Sequence, residues 1–246
     1  MRSGEFIFNN MNFYEHGVYI QERPEIAKAE RNETEISIPG RNLPLTKWDN
    51  TYLPIEFTLS LFLKATNPEQ AIEEYNWISS KLRTPTYKLS KFYFDERYYY
   101  SVKFTEINLS YQTQYIEGVP FTAKVKCSPI KFDLSGIYPQ SFNNPSRYYN
   151  TGAIISQPLI EFVGAGDITF LINGNEFVFK GLLNGEYGID SEIKEVYQII
   201  DGQYLSINSK YYSKSQFPEL KIGQNTISWT GNVTSAKLTP RWGEVI

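Results

Sequence analysis

The sequence predicts a mainly β protein: an N-terminal β domain with one helix, followed by a β-sandwich. Three observations carry that reading. Aromatic residues make up 16% of the 246 positions, mostly Tyr and Phe, which suits sheets with broad half-buried faces. Runs that alternate apolar and polar residues recur along the chain, whereas helical periodicity is sustained only from Asn67 to Leu82. A turn-rich texture from Asp133 to Gly152 places the domain junction at its start, giving domains 1–132 and 133–246.

Met1 to Gly4 carry no pattern and are assigned no structural weight. Glu5 to Asn9 and Gly17 to Gln21 read as short strands around a polar turn that holds His16, the chain's one histidine. An imidazole without a second ligand or an acid partner supports no chemistry, so its expected role is solvation. Residues 22–35 alternate in sign, which fits a solvated arm, an exposed ribbon, or an arm reaching over a neighbouring subunit. Ile36 and Ile38 then lead into Pro39-Gly40-Arg41-Asn42, a turn with a charge at its tip. Arg41 has only Lys47 nearby as a basic companion, so it is expected to hold the turn or a neighbouring chain rather than a phosphate.

From Leu53 to Lys64, Ile55, Phe57, Leu59, Leu61 and Leu63 share one face, the cleanest strand in the sequence. The helix follows. Asn67 is a good N-cap, Pro68 suits the first helical position, and Gln70 completes a capping-box pattern. Ala71, Tyr75, Ile78 and Leu82 form its apolar stripe, widened by Ile72, and Thr84-Pro85 ends it. Trp77 lies off the stripe and implies contact on a second side.

Tyr87 to Phe94 and Tyr98 to Leu109 read as a hairpin with aromatics on both faces. One face is expected to meet the helix. The other either meets a partner chain or lies wet with its hydroxyls outward. Phe121 to Cys127 gives a further strand. Beyond the junction, short alternating runs at 159–163, 168–172, 176–179, 196–200, 204–207 and 226–229 suit a sandwich, with Asn173-Gly174 and Asp201-Gly202 as hairpin turns.

The charge balance excludes some functions. Residues 1–132 carry 16 Lys+Arg against 16 Asp+Glu, and residues 133–246 carry 8 against 11, with no basic run anywhere. Neither stable nucleic-acid binding nor membrane insertion is expected. Cys127 stands alone, no zinc spacing occurs, and no Gly-rich phosphate loop precedes a helix, so no cofactor or metal is expected. A nucleophile would have only His16 as its base. Asp190 with Glu192 or Glu195 could form a carboxylate pair, in a turn-and-strand setting rather than a recognisable cleft. Tyr197, Tyr204, Trp229 and Trp242 could stack on sugar rings, or could be core and rim residues of the sandwich.

Several short stretches, in order, resemble one family. Gly17 to Ile20 (GVYI), Glu22 to Pro24 (ERP), Ser37 to Asn42 (SIPGRN) and Phe121 to Phe132 (FTAKVKCSPIKF) are similar to the N-terminal half of siphophage distal tail proteins. Gln157 to Phe177, Gly188 to Tyr197 and Leu220 to Gly231 are similar to its C-terminal half. The chain departs where the family usually has Gly after Arg-Asn, since Leu43-Pro44 follows here.

The resemblance implies a non-enzymatic hub at the tip of a phage tail, made in the host cytoplasm. Its N-terminal domains would form a ring of six on the tail tube and leave a channel for DNA. Its C-terminal, galectin-like sandwiches would project towards receptor-binding or baseplate proteins, and a tail-associated lysin or spike-like protein would close the distal face. On that reading the ring or docking interface would draw on Arg23, Arg31, Gly40, Arg41 and Asn42. It would also draw on Trp77, Tyr93, Tyr98, Tyr99 and Tyr100. A free carbohydrate-binding module using the four sandwich aromatics is the alternative.

Overall fold

The computed structural model describes residues 1–109, 118–213 and 216–246. The protein is mainly β and divides into two compact units, Met1–Lys131 with Val245–Ile246, and Phe132–Glu244. The last two residues thus belong with the first unit. Ile246 donates its N–H to the Pro129 carbonyl at 3.0 Å and accepts from Ala29 at 3.0 Å.

The first unit is built from β1 (Phe6–Phe8), β2 (Met11–Asn12), β3 (Val18–Glu22), β4 (Arg31–Ile36), β5 (Leu45–Tyr52) and β6 (Ile55–Lys64). Helix α1 (Pro68–Leu82) follows, then β7 (Lys88–Phe92), β8 (Tyr98–Leu109) and β9 (Gly118–Asp133). The main sheet runs in the order β2-β1-β7-β8-β9-β6-β3, while β4 and β5 form a separate two-stranded ribbon. In β6 the side chains of Ile55, Phe57, Leu59, Leu61 and Leu63 are all buried. Strands β8 and β9 lie between β6 and β7, which would hold them roughly 14 Å apart in a flat sheet. The Phe57 and Phe92 rings nevertheless meet at 6.2 Å, so the sheet curls around its core.

Helix α1 covers part of this core. The Asn67 side chain accepts from the Gln70 N–H at 2.9 Å, but Gln70 Oε1 accepts from the N–H of Thr66 rather than of Asn67. The box therefore closes one residue early. Ala71, Ile78 and Leu82 are buried and Tyr75 donates its hydroxyl to the Ile107 carbonyl at 3.1 Å, whereas Ile72 stays exposed. Trp77 does find a second side: its ring lies 4.7 Å from that of His16, at the end of a 3-10 turn over Phe13–His16. Met1 to Gly4 are also part of the fold, because the Gly4 carbonyl accepts from Ile20 at 2.8 Å.

The second unit holds β10 (Gln140–Ser141), β11 (Ser146–Asn150), β12 (Leu159–Ile172), β13 (Asn175–Asp190), β14 (Glu195–Ile200), β15 (Gln203–Ser206) and β16 (Gly223–Thr239). A last strand, β17 (Gly243–Val245), pairs with β9. The stretch read as a loop-rich boundary contributes β10 and β11, both paired with β16. Turn-forming residues there break the run into short strands without removing it from the sheet.

The runs 159–163 and 168–172, expected as separate strands, are the two halves of β12. The strand bends at bulges between Gly164 and Ile168. Phe162 and Phe170 are eight positions apart, roughly 26 Å along a straight strand, yet their rings lie 5.0 Å apart. One seven-stranded sheet, folded across these bulges, makes both layers of the sandwich. Asn173-Gly174 and Asp201-Gly202 take positive φ at both residues, as tight hairpin turns require.

Gly231 permits the matching bend in β16. Its φ is +96°, and a Cβ there would stand 2.3 Å from the Asp167 carbonyl oxygen. Gly231→Ala is expected to cost at least about 2 kcal/mol of stability, from left-handed strain plus the clash. Urea unfolding checks this, and an unchanged midpoint would show that the bend does not depend on the glycine.

Candidate functional site

Strands β4 and β5 form an exposed ribbon whose tip, residues 37–44, contains Gly40, Arg41 and Asn42. Gly40 turns at φ +83°, and the Arg41 N–H closes the turn on the Ile38 carbonyl at 3.1 Å. Near the base, Asn32 donates to Asp49 at 2.8 Å and the Trp48 indole donates to the Thr51 carbonyl at 3.0 Å. The Arg31 guanidinium lies 4.8 Å from the centre of the Trp48 ring. These contacts order the ribbon but bury little of it. Leu43 is 76% exposed, and Ile36, Leu45 and Trp48 are exposed as well. A two-stranded ribbon with apolar side chains in water is marginal by itself and gains most when another surface covers it.

The tyrosines of the β7–β8 hairpin face a different setting. Tyr100 is only 3% exposed, its ring 5.5 Å from that of Phe92 and its hydroxyl donating to Asp95 at 2.6 Å. Burial, reinforced by the Asp95 carboxylate, pushes its pKa well above the ordinary phenol value. Lys131 bonds the same carboxylate at 2.8 Å and lies 4.0 Å from the centre of the Tyr98 ring. Tyr93 and Tyr99 are half-buried, and the Arg23 guanidinium lies 5.6 Å from the Phe94 ring. The candidate interface residues therefore sit on three elements: the ribbon with Arg31, Gly40, Arg41 and Asn42; the hairpin with Arg23 and the tyrosines; and Trp77 on α1. Sequence reading passed over Leu43, Leu45 and Trp48, although Leu43-Pro44-Leu45 in a polar turn was the available signal.

Beside Trp77 and His16 lies an open cavity of about 450 Å³, which Glu15, Lys64 and Glu74 also line. Among the described residues no group of three or more His, Cys, Asp or Glu side chains could hold a metal. Cys127 is buried, which pushes its thiol up to about 12 and leaves it un-ionised near neutrality. No described helix is long and apolar enough to cross a membrane.

In the second unit only Tyr204 of the four aromatic candidates is exposed. Trp242 and Tyr197 are buried, and Trp229 packs its ring on Phe142 and Phe170. Tyr204, at 71% exposed, stands edge-on to Tyr197 at 4.8 Å. Asp190 is also committed. Both its oxygens accept from the Arg241 fork, at 2.6 and 2.8 Å, which leaves neither for acid–base work. Burial raises its pKa, but Arg241 and the backbone N–H groups of Glu192 and Ile193 outweigh this and hold it below the ordinary carboxylate range.

The second unit has its own cavity, of about 470 Å³, formed where the β12–β13 turn meets the segments 191–194 and 216–221. Ser191, Gln157, Asn175 and Phe177 are among the residues lining it.

No family model and no curated protein matches the sequence. The fold does have matches among solved structures. The crystal structure of the SPP1 Dit protein is similar over 98% of both chains, with a TM-score of 0.67 and 12% identity. A chain of the phage p2 baseplate in its activated conformation with strontium is similar over 95% of this chain and 96% of its own, at TM-score 0.57 and 8% identity. The corresponding calcium form gives 0.53, also at 8% identity, over 97% of both chains. The chain thus has the fold of a distal tail protein along nearly its whole length.

Proposed function

We propose that this chain is a structural, non-enzymatic hub at the tip of a long-tailed phage tail. The likeness in fold spans 98% of both this chain and SPP1 Dit, a protein described as a paradigm of the hub adsorption apparatus in phages that infect Gram-positive hosts. The observation that carries the reading is the ribbon of residues 31–52, which holds Ile36, Leu43, Leu45 and Trp48 exposed to water. In a ring each subunit offers two different patches, and an arm reaching over its neighbour is one of them. On this proposal the first unit forms a ring of six on the tail tube, and the second carries the galectin-like sandwich outwards. Receptor-binding or baseplate proteins attach there, and a lysin or spike-like protein meets the distal face. Assembly takes place in the host cytoplasm.

Light scattering on the full chain is expected to give six times its 28.5 kDa mass. A monomer at high concentration would remove the main support for the ring. The same preparation is expected to leave duplex DNA unshifted at low ionic strength, because residues 1–132 carry no net charge and no basic run with which to hold a polyanion. A salt-sensitive complex would overturn that part of the proposal.

A further inference from the structure

We propose, on the basis of the ring reading, that the open cavity beside Trp77 receives the ribbon tip of a second copy of this chain. Arg41 of that tip, residues 37–44, then sits between the carboxylates of Glu15 and Glu74. The two parts stand at opposite ends of one strand. Tyr52, the last residue of the ribbon, leads into Ile55 at the start of β6, whereas Lys64 at the other end of β6 lines the cavity. A strand of ten residues spans roughly 30 Å. Arg41 is exposed and the cavity is open, so the two are not joined within one copy. A projecting arm at one end and a receiving site at the other let identical copies join head to tail, as a heterologous interface requires.

Charge selects this cavity. Arg41 is the one charged residue between positions 37 and 44, and among the described residues no ion pair engages it. Glu15 and Glu74 are likewise outside every ion pair of the described residues, and they outnumber Lys64 in the lining. One oxygen of Glu74 accepts from the Gln70 side chain at 2.6 Å, which orients the carboxylate and leaves its second oxygen for a guanidinium. The acids of the β7–β8 turn are already committed, Asp95 to Tyr100 and Lys131, and Glu96 to the N-terminal ammonium. Shape agrees with charge. Trp77 is exposed at the cavity, and His16 packs against its ring at 4.7 Å and holds it in position. The cavity, about 450 Å³, has room for the Arg41 and Leu43 side chains together. Seating the tip takes Leu43 of one copy and Trp77 of the next out of water at once.

Sedimentation velocity on the full-length chain tests the joint. Arg41→Glu is expected to weaken association at least tenfold, and Glu15→Lys with Glu74→Lys to do the same. Combining all three changes is expected to restore the parent's mass, because the signs are then exchanged across the joint. Disulfide trapping reads the geometry. On oxidation, Asn42→Cys with Glu15→Cys is expected to give a ladder of linked copies, whereas either single variant stops at dimers. The buried Cys127 thiol does not compete. A parent of ring mass whose association withstands Arg41→Glu overturns this joint while still supporting the ring, as does an assembled cysteine pair that stays unlinked. A triple variant that stays weak would show that the two patches do not pair. A monomeric parent overturns the joint and the ring together.

Discussion

Leu43→Asp combined with Leu45→Lys is expected to convert the assembled protein to monomers without lowering its Tm. Both leucines are exposed on the ribbon, so the isolated chain draws little stability from them. Covering a leucine stabilises by about 2 kcal/mol, so losing two weakens each joint by about 4 kcal/mol, roughly a thousandfold in affinity. The opposite charges leave the net charge unchanged, which separates this effect from general repulsion. Sedimentation velocity reads the mass and circular dichroism the melt. A variant that keeps the ring mass would show that the ribbon tip is not the joint, and the β7–β8 hairpin or Trp77 would become the next surface to probe.

Asp190→Ala is expected to destabilise the second unit by about 2–3 kcal/mol, because it leaves the largely buried Arg241 guanidinium only the Gln157 carbonyl and the half-exposed Glu192 carboxylate as acceptors. The same pair predicts a pH dependence. The folded-state pKa of Asp190 lies below its unfolded value near 4. The stabilisation is therefore complete above that value and is lost as pH falls through the lower folded-state pKa. Urea midpoints measured between pH 7 and pH 3 should fall for the parent chain more than for the Asp190→Ala variant. A double variant, Asp190→Leu with Arg241→Met, should recover much of the loss, since an apolar pair leaves no charge to satisfy. If the single variant unfolds at the parent's midpoint, the clamp does not hold the sandwich.

Much of this architecture is legible in the sequence because it follows from short-range rules. Alternation along β6 gives its buried face, since a pleated strand sends successive side chains to opposite sides. Asn67, Pro68 and Gln70 start α1 by local hydrogen bonding. Asn173-Gly174 and Asp201-Gly202 can turn a hairpin by virtue of their own backbone freedom. The order of short motifs pointed to the fold of distal tail proteins, although overall identity to SPP1 Dit is only 12%.

Tertiary structure alone decided which of these faces meet water. The sequence assigned one aromatic face of the β7–β8 hairpin to the helix and left the other to a partner chain or to water, and only the fold put Tyr100 inside with Asp95 and Lys131. Trp242 read either as a sugar platform or as a core or rim residue, and the fold buries it in the sandwich core. Asp190 read as a possible partner of Glu192 or Glu195 in a carboxylate pair, and the fold instead brings Arg241, 51 positions away, onto both its oxygens. The cavity of the second unit likewise gathers Gln157, Asn175, Ser191 and Lys221 from separate turns. Local pattern fixes which way a side chain points from its own strand. Burial and partnership depend on what lies opposite, and that is set by long-range pairing and by the bends at Gly164 and Gly231.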